Sequence, residues 1–326
     1  MTTYLSLRDL TVRFRTPSGT ITAIDRLSLD LNRGEVLGLI GESGSGKSVT
    51  LRALLRILPE RRTQIDGQMM VGGRDAQALT GADLRAYRGG DVSMIFQEPA
   101  TALDPVHTIG AQIAEAVMVH SRCSKAAAMS RALEMLDLVR IPSAKARLAS
   151  YPHEMSGGMR QRAMIALALA TRPKLLLADE PTTALDATVQ IQVVLLLRDL
   201  QRELGMATIF VTHDVGVAAE ISDRVAVMYG GRVVEIGTAA QVLKTPAHPY
   251  TRGLLSSTVH GVAPGARIDA IPGMPPDPAR MPPGCAFAPR CASAVVACNA
   301  ERPPLVIRAD GRATACLRLN HAEGAA

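Results

Sequence analysis

Gly41-Glu42-Ser43-Gly44-Ser45-Gly46-Lys47-Ser48 fits the pattern G-x-x-x-x-G-K-[ST], a loop that wraps the phosphates of a nucleotide. The glycines let the backbone take turns that a Cβ would block, so successive N–H groups can face one concavity. Lys47 can reach the β- and γ-phosphates, and the Ser48 hydroxyl suits Mg²⁺. The flanks agree with this. Val36-Leu37-Gly38-Leu39-Ile40 reads as a buried strand, and Ser48 to Leu58 has the leucine spacing of a helix. Such a loop feeds phosphate onto a helix N-terminus, where free N–H groups and the dipole favour an anion. A chance Gly/Ser-rich turn would not also supply the strand and the helix.

Working outward, 326 residues have room for one large and one smaller domain, and 47% apolar residues suffice for a core. There is no Trp and aromatics total 3%, which argues against a stacking platform for single-stranded nucleic acid. The net charge of +6 is modest and scattered, in keeping with a solvated surface or one close to anionic lipid. No apolar run approaches the roughly 18 to 20 residues that cross a bilayer. No basic start followed by an apolar stretch and a cleavage site is present. The expectation is a cytosolic protein whose membrane role goes through a partner.

Leu10, Val12 and Phe14 alternate with polar residues, as do Leu27, Leu29 and Leu31, predicting two half-buried strands of an antiparallel flank around a Pro17-Ser18-Gly19 turn. Gly67 to Val71 and Asp91 to Phe96 read as further strands. From Glu98 to Pro152 the period changes: Ile109 to Val119 and Lys125 to Val139 are helical and no strand is evident, so a helical insertion is expected. Strands then alternate with helices: Leu175 to Ala178, Ala187 to Leu204, Thr208 to Val211, a short helix after Asp214, and Val225 to Met228. That order predicts an α/β domain with a mostly parallel sheet covered on both faces, closed by a Gly230-Gly231 hairpin. Beyond about Lys244 lie twelve of the twenty prolines and four of the five cysteines. This tail is expected to be neither regular sheet nor helix, but a linker or a loop-rich module held by something other than its own core.

Two further motifs give the loop a chemical context. Leu175-Leu176-Leu177-Ala178-Asp179-Glu180 is a buried strand ending in two carboxylates. Asp179 is placed to hold Mg²⁺, and Glu180, one residue on, can polarise a water for in-line attack on a γ-phosphate. Met155-Ser156-Gly157-Gly158-Met159-Arg160-Gln161-Arg162 offers a second anion-binding helix start with Ser156 as N-cap. One nucleotide has no use for two cradles in one subunit. A head-to-tail dimer does, since each Ser-Gly-Gly turn can close on the phosphate held by the other subunit's loop. An ordinary capped helix is the competing account of that motif.

The order Gly41–Ser48, Gln97, Ser156-Gly157-Gly158, Asp179-Glu180, Ala184-Leu185-Asp186 and His213 resembles the ATP-binding subunit of ABC transporters, over residues 1 to about 245. The resemblance implies a P-loop NTPase (RecA-like) core in a 1–245 ATP-binding domain, with a helical subdomain at about 98–162 and a Pro/Cys-rich module over 246–326. It implies ATP and Mg²⁺, with Phe14 on the adenine and Gly41, Ser43, Gly44, Ser45, Gly46, Lys47, Ser48 and Val49 around the phosphates. Ser48, Gln97 and Asp179 would hold the metal; Glu180, His213, Gln97 and Lys47 would carry hydrolysis. Ser156, Gly157, Gly158 and Asp186 would serve the partner's ATP. Read from the chain alone, His213 follows a strand and can donate a hydrogen bond from the sheet edge, a place where a histidine is more often structural. Met155 and Met159 depart from the Leu and Gln that the family favours.

Gln97-Glu98-Pro99-Ala100-Thr101-Ala102-Leu103-Asp104-Pro105, His248-Pro249-Tyr250-Thr251 and the cysteine tail each resemble the dipeptide and oligopeptide importers, whose relatives also carry nickel or glutathione. This branch implies two transmembrane permease subunits, a second and different ATP-binding subunit, and an extracytoplasmic solute-binding protein. It implies a peripheral place on the cytoplasmic face of a bacterial inner membrane and no nucleic acid partner. Cys285, Cys291, Cys298 and Cys316 are spaced C-x5-C-x6-C-x17-C. Structural disulfides are disfavoured in a cytosolic chain. Zinc usually shows closer pairs. A [4Fe–4S] cluster, one thiolate per iron, suits wide spacing, and relatives that carry one put it ahead of zinc. Buried reduced thiols with no metal remain the alternative. Cys123, on the insertion, reads as a plain apolar residue.

Two other machines use such a loop. A soluble ABC-type ATPase acting on ribosomes or DNA typically carries two ATPase modules or a long coiled coil, and this chain has one loop and no sustained heptads. A small-molecule kinase would leave Ser156-Gly157-Gly158 unexplained.

Overall fold

The computed structural model describes residues 2–17, 19–183, 185–257 and 270–323; Ser18 of the expected turn and Ala184 of the quoted motifs lie outside them. The described strands are β1 (Thr3–Thr16), β2 (Gly19–Asn32), β3 (Val36–Ile40), β4 (Thr63–Val71), β5 (Arg74–Asp75), β6 (Val92–Ile95), β7 (Leu175–Asp179), β8 (Ala207–Val211), β9 (Arg224–Tyr229), β10 (Arg232–Thr238), β11 (Val306–Ile307) and β12 (Ala313–Thr314). The chain divides into two compact units, residues 1–77 with 210–326, and residues 78–209.

In the first unit, β2-β1-β4-β5 form an antiparallel sheet. Leu10 faces Leu27 and Val12 faces Ile24 across the β1–β2 ladder, and all four are buried, as the two-residue alternation predicts. To the eight-stranded second sheet this unit contributes β11-β12-β10-β9-β3. There β3 pairs parallel with β9, while β9 and β10 form the antiparallel hairpin through Gly230-Gly231. All five residues of β3 are buried, the mark of a strand covered on both faces.

The helix after the phosphate loop spans Lys47–Leu54, shorter than its leucine spacing predicts. Arg56 turns left-handed (φ 58°), Ile57 N–H reaches back to Arg52 O at 3.1 Å, and Pro59 follows.

The second unit contains the parallel pair β6 and β7, with β8 on the far side of β7. Its helices Ile109–Ser121, Lys125–Leu138, Gly157–Leu169 and Ala187–Leu204 match the helical periods read from the sequence. Each begins with a side chain accepting a backbone N–H: Thr108, Ser124, Ser156 and Asp186.

The tail corrects its expectation. It contains regular elements: the helix Pro249–Ser256, the short helices Val296–Ala300 and Leu317–Glu323, and the strands β11 and β12. β12 adds to the edge of β10 through Glu235–Thr314 and Ile236–Ala313. It is also held by apolar packing. Tyr229, Tyr250 and Phe287 meet at centroid distances of 4.5 to 5.3 Å in a cluster with Val227, Val234, Val242 and Ala286. Prolines excluded long elements from this stretch, and two-residue strands lent by a neighbouring sheet edge escaped that limit.

Candidate nucleotide and cysteine sites

In the first unit the phosphate loop leaves buried β3 and enters the helix at Lys47. Gly41 sits at φ 150°, and a Cβ there would lie 2.3 Å from the Met228 carbonyl oxygen, so this position admits only glycine. Gly44 and Gly46 are also left-handed, at φ 77° and 103°. The Lys47 ammonium lies across the loop, donating to Gly41 O at 2.7 Å and Glu42 O at 2.9 Å. Ser43 and Gly44 are exposed, while Ser48 and Val49 are half-buried in the first helical turn.

Phe14 is half-buried near the end of β1, paired with Ile21 and Thr63. His213 is exposed between β8 and the helix Val215–Ile221. Its neighbours fix the loop. Thr212 N–H reaches Leu39 O of β3 at 3.4 Å, and the Asp214 carboxylate caps the helix through Gly216 N–H at 2.8 Å. The histidine is thus tied to the strand that carries the phosphate loop.

In the second unit Asp179 ends β7 and is 2% exposed, whereas Glu180 turns the chain at φ 47°. A left-handed non-glycine residue costs of order 1 kcal/mol or more and persists where surroundings hold it. Gln97, exposed just after β6, donates from Nε2 to Glu180 Oε2 at 3.2 Å, and the Thr183 hydroxyl donates to the same oxygen at 3.0 Å. Gln97 and Glu180, 83 positions apart, are thereby brought together.

Ser156 Oγ accepts from Met159 N–H at 3.3 Å, and Ser156 and Gly157 are exposed at this helix start. A Cβ on Gly158 would come 3.0 Å from Val189, so this turn packs on the start of the helix that Asp186 caps. Asp186 Oδ1 accepts from Val189 N–H at 3.0 Å. Met155 is 3% exposed, and its departure from the family pattern is a core substitution.

Two residues outside the sequence reading stand out. Gln161 is buried and donates to the Pro181 carbonyl, tying the Ser-Gly-Gly helix to the segment after Glu180. Its signal was present: it falls on the stripe of Met164, Ile165 and Ala168, a polar side chain on a buried face. Arg290 was marked only by its place beside Cys291 in the stretch that carries the tail's family resemblance.

In the tail, Cys285, Cys291, Cys298 and Cys316 all line one cavity of about 380 Å³, with His248, Phe287 and Leu317. Cys285 N–H bonds Cys298 O at 2.8 Å, an approach possible because a Cβ on Gly284 would lie 2.3 Å from that oxygen. Burial pushes the Cys285 and Cys291 thiols up, and neighbouring cysteine sulfurs add to the effect. The thiols are free, and among the described residues no three His, Cys, Asp or Glu side chains form a group that could hold a metal ion. Among the described residues no helix is long and apolar enough to cross a membrane.

The comparisons agree with both parts of the chain. Residues 24–183 match the ABC transporter family, and residues 234–298 match the oligopeptide/dipeptide transporter C-terminal region. The oligopeptide transport ATP-binding protein OppD of Salmonella typhimurium is 48% identical over 314 residues, 96% of this chain and 93% of its own length. The dipeptide transport ATP-binding protein DppD of Bacillus subtilis is 46% identical over 313 residues, with the same coverage. The ATP-binding cassette MJ0796, solved as a dimer bound to ADP and Pi, superposes with a TM-score of 0.65 at 28% identity, over 72% of this chain and 98% of that one. The chain belongs to the ABC transporter ATP-binding proteins, and to the branch among them that carries the oligopeptide/dipeptide transporter C-terminal region.

Proposed function

We propose that this chain is the ATP-hydrolysing subunit that energises import of di- or oligopeptides through a membrane permease. The observation that carries the reading is the match to peptide-transport ATP-binding proteins along 96% of the chain, tail included. Residues 1–245 are the ATP-binding domain in this reading, and 246–326 the C-terminal module. Two permease subunits, a second and different ATP-binding subunit, and indirectly a solute-binding protein complete the importer, with this chain on the cytoplasmic face.

In this reading each residue takes the role that the family resemblance implies for it. Phe14 offers a half-exposed ring to the adenine. The backbone of Gly41, Ser43, Gly44, Ser45 and Gly46 donates to phosphate oxygens, joined by Val49 in the first helical turn, and Lys47 supplies the positive charge. Ser48, Asp179 and Gln97 are the oxygen donors suited to Mg²⁺, a hard cation, which when bound neutralises charge on the phosphates. Asp179 fits because it is buried and rigid at a strand end. Glu180 is the base that takes a proton from the attacking water, and Gln97, hydrogen-bonded to it, orients that water. His213 donates to the γ-phosphate. Ser156, Gly157, Gly158 and Asp186 complete the partner's site, so the isolated chain hydrolyses ATP poorly.

The four tail cysteines would hold a [4Fe–4S] cluster, a group that supplies reversible one-electron chemistry. What supports this is the donor set. Four thiols line one cavity, and four is the number of thiolates such a cluster takes at one per iron.

The test uses the assembled importer in vesicles. Glu180→Gln should trap an ATP-bound dimer and lower peptide-stimulated hydrolysis by about 10³-fold, in the range of general-base loss. Hydrolysis at the parent rate would overturn the assignment.

A further inference from the structure

The phosphate loop carries a carboxylate in its second position. Glu42 is of the same sign as the phosphates its neighbours would bind, and left unpaired it would oppose them. It is paired from the far end of the sequence. Arg290 Nη1 donates to Glu42 Oε2 at 2.7 Å and Nη2 donates to Oε1 at 3.0 Å, a bidentate fork. The guanidinium is itself fixed. Nε donates to Pro272 O at 2.8 Å, Nη1 to Tyr229 Oη at 3.2 Å, and its side chain is 6% exposed. The loop backbone at the same residue is held as well, because Glu42 N–H donates to Tyr250 Oη at 2.9 Å. Tyr250 is fully buried and packs on Tyr229 and Phe287. Glu42 is therefore gripped by backbone and side chain alike, and both grips come from the C-terminal module, which lies in the same compact unit as the loop.

We propose that Arg290 is a positioning residue for nucleotide binding: the C-terminal module reaches the phosphate loop through it, neutralising Glu42 and fixing its place. This rests on the reading of Gly41–Ser48 as the phosphate loop. Arg290 acts through Glu42. Cys291 is the next residue and caps the short helical turn Ala288–Arg290. The tail is thus an arm of the ATP site as well as an appendage of the fold. A buried bidentate pair of this kind is costly to break from one side, since the remaining charge stays desolvated and alone.

The experiment is Mg·ATP binding to the full-length chain by titration calorimetry, for the parent, Arg290→Ala, Arg290→Lys, Glu42→Gln and the double variant Arg290→Ala/Glu42→Gln, with Lys47→Ala as control. Arg290→Ala should weaken ATP binding about tenfold, the scale of a lost hydrogen bond to a charged group. Arg290→Lys keeps the charge without the fork and should lie between. Glu42→Gln, whose amide oxygen can still accept from Arg290, should weaken binding less than Arg290→Ala, and adding it to Arg290→Ala should recover most of the lost affinity. A merely structural Arg290 would give a double variant at least as weak as Arg290→Ala, and that result overturns the proposal. So does unchanged affinity in Arg290→Ala. If Lys47→Ala also binds ATP like the parent, the phosphate-loop reading itself fails; if only Lys47→Ala loses binding, the loop stands and the clamp falls.

Discussion

The phosphate loop and the cysteine-bearing tail lie in the same compact unit, and they are specified in different ways. The loop closes on itself: Lys47 reaches carbonyls five and six positions back, and three glycines take left-handed turns. The tail is held by partners far away in sequence. Arg290 meets Glu42 across 248 positions, Arg302 meets Asp25 across 277, and β12 borrows the edge of β10. Glycines with no room for a side chain and one lysine shape the loop, while pairwise charge, edge pairing and aromatic packing shape the tail. The two kinds of specification fail differently when single residues change.

The largest effect is expected where one residue carries the local geometry. Gly41→Ala places a methyl group 2.3 Å from Met228 O at a φ of 150°. No side chain can yield there, because the obstacle is backbone. Strain of about 3 kcal/mol, concentrated in the loop, should cut ATP affinity by roughly 100-fold. Far-ultraviolet circular dichroism and the tail's thiol accessibility should stay near parental values. Equal loss of structure in both regions would show that the loop is not separately specified.

That contrast also explains what could be read without coordinates. The strand and loop around Gly41–Ser48, the strand ending at Asp179 and the cap Ser156 are contiguous signals and fold as their spacing predicts, while the helix after the loop stops early at Leu54. The hydrogen bond between Gln97 and Glu180 joins two separate motifs, which is why only their common order in a known family pointed to it. The left-handed turn at Glu180 had no herald at all, since glutamate disfavours it and only the fold imposes it. In the tail the sequence yields the cysteines and the prolines. It does not yield the ladder to β10 or the fork on Glu42, because one arginine among many exposed ones carries no local mark of its partner.

His248 probes the tail from within. It is 2% exposed; its Nδ1 accepts from Tyr250 N–H at 3.0 Å, and its ring also bonds the Ala315 backbone. Burial, with Arg252 nearby, lowers its pKa from 6.5 to about 4. Protonation would put a hydrogen on the capping nitrogen and a charge in the core. The unfolded chain therefore binds the proton more readily. Stability from the neutral ring is fully present above pH 6.5 and is lost as pH falls towards 4, by up to about 3 kcal/mol. In urea titrations across that window His248→Asn, which can still cap Tyr250, should remove most of the slope. A slope equal to the parent's would assign the acid sensitivity elsewhere.

The smallest effect separates the two anchors of the tail. Asp25 is pulled upward by burial, but hydrogen bonds and charges from Arg232 and Arg302 outweigh that and hold its carboxyl below the usual range. Arg302 donates to Asp25 Oδ1 and to the Asp25 carbonyl, each at 3.1 Å, while Arg232 Nη2 holds Oδ2 at 2.7 Å. Removing Arg302 leaves Asp25 still paired, and the site is partly open to water, so Arg302→Ala should cost only about 1 kcal/mol, a fall in Tm of about 1 to 3 °C. Its ATP affinity should equal the parent's, because this anchor grips the antiparallel sheet and not the phosphate loop. Were Arg302→Ala to weaken ATP binding as much as Arg290→Ala, the tail would act on the loop through its general stability, and the fork on Glu42 would lose its special standing.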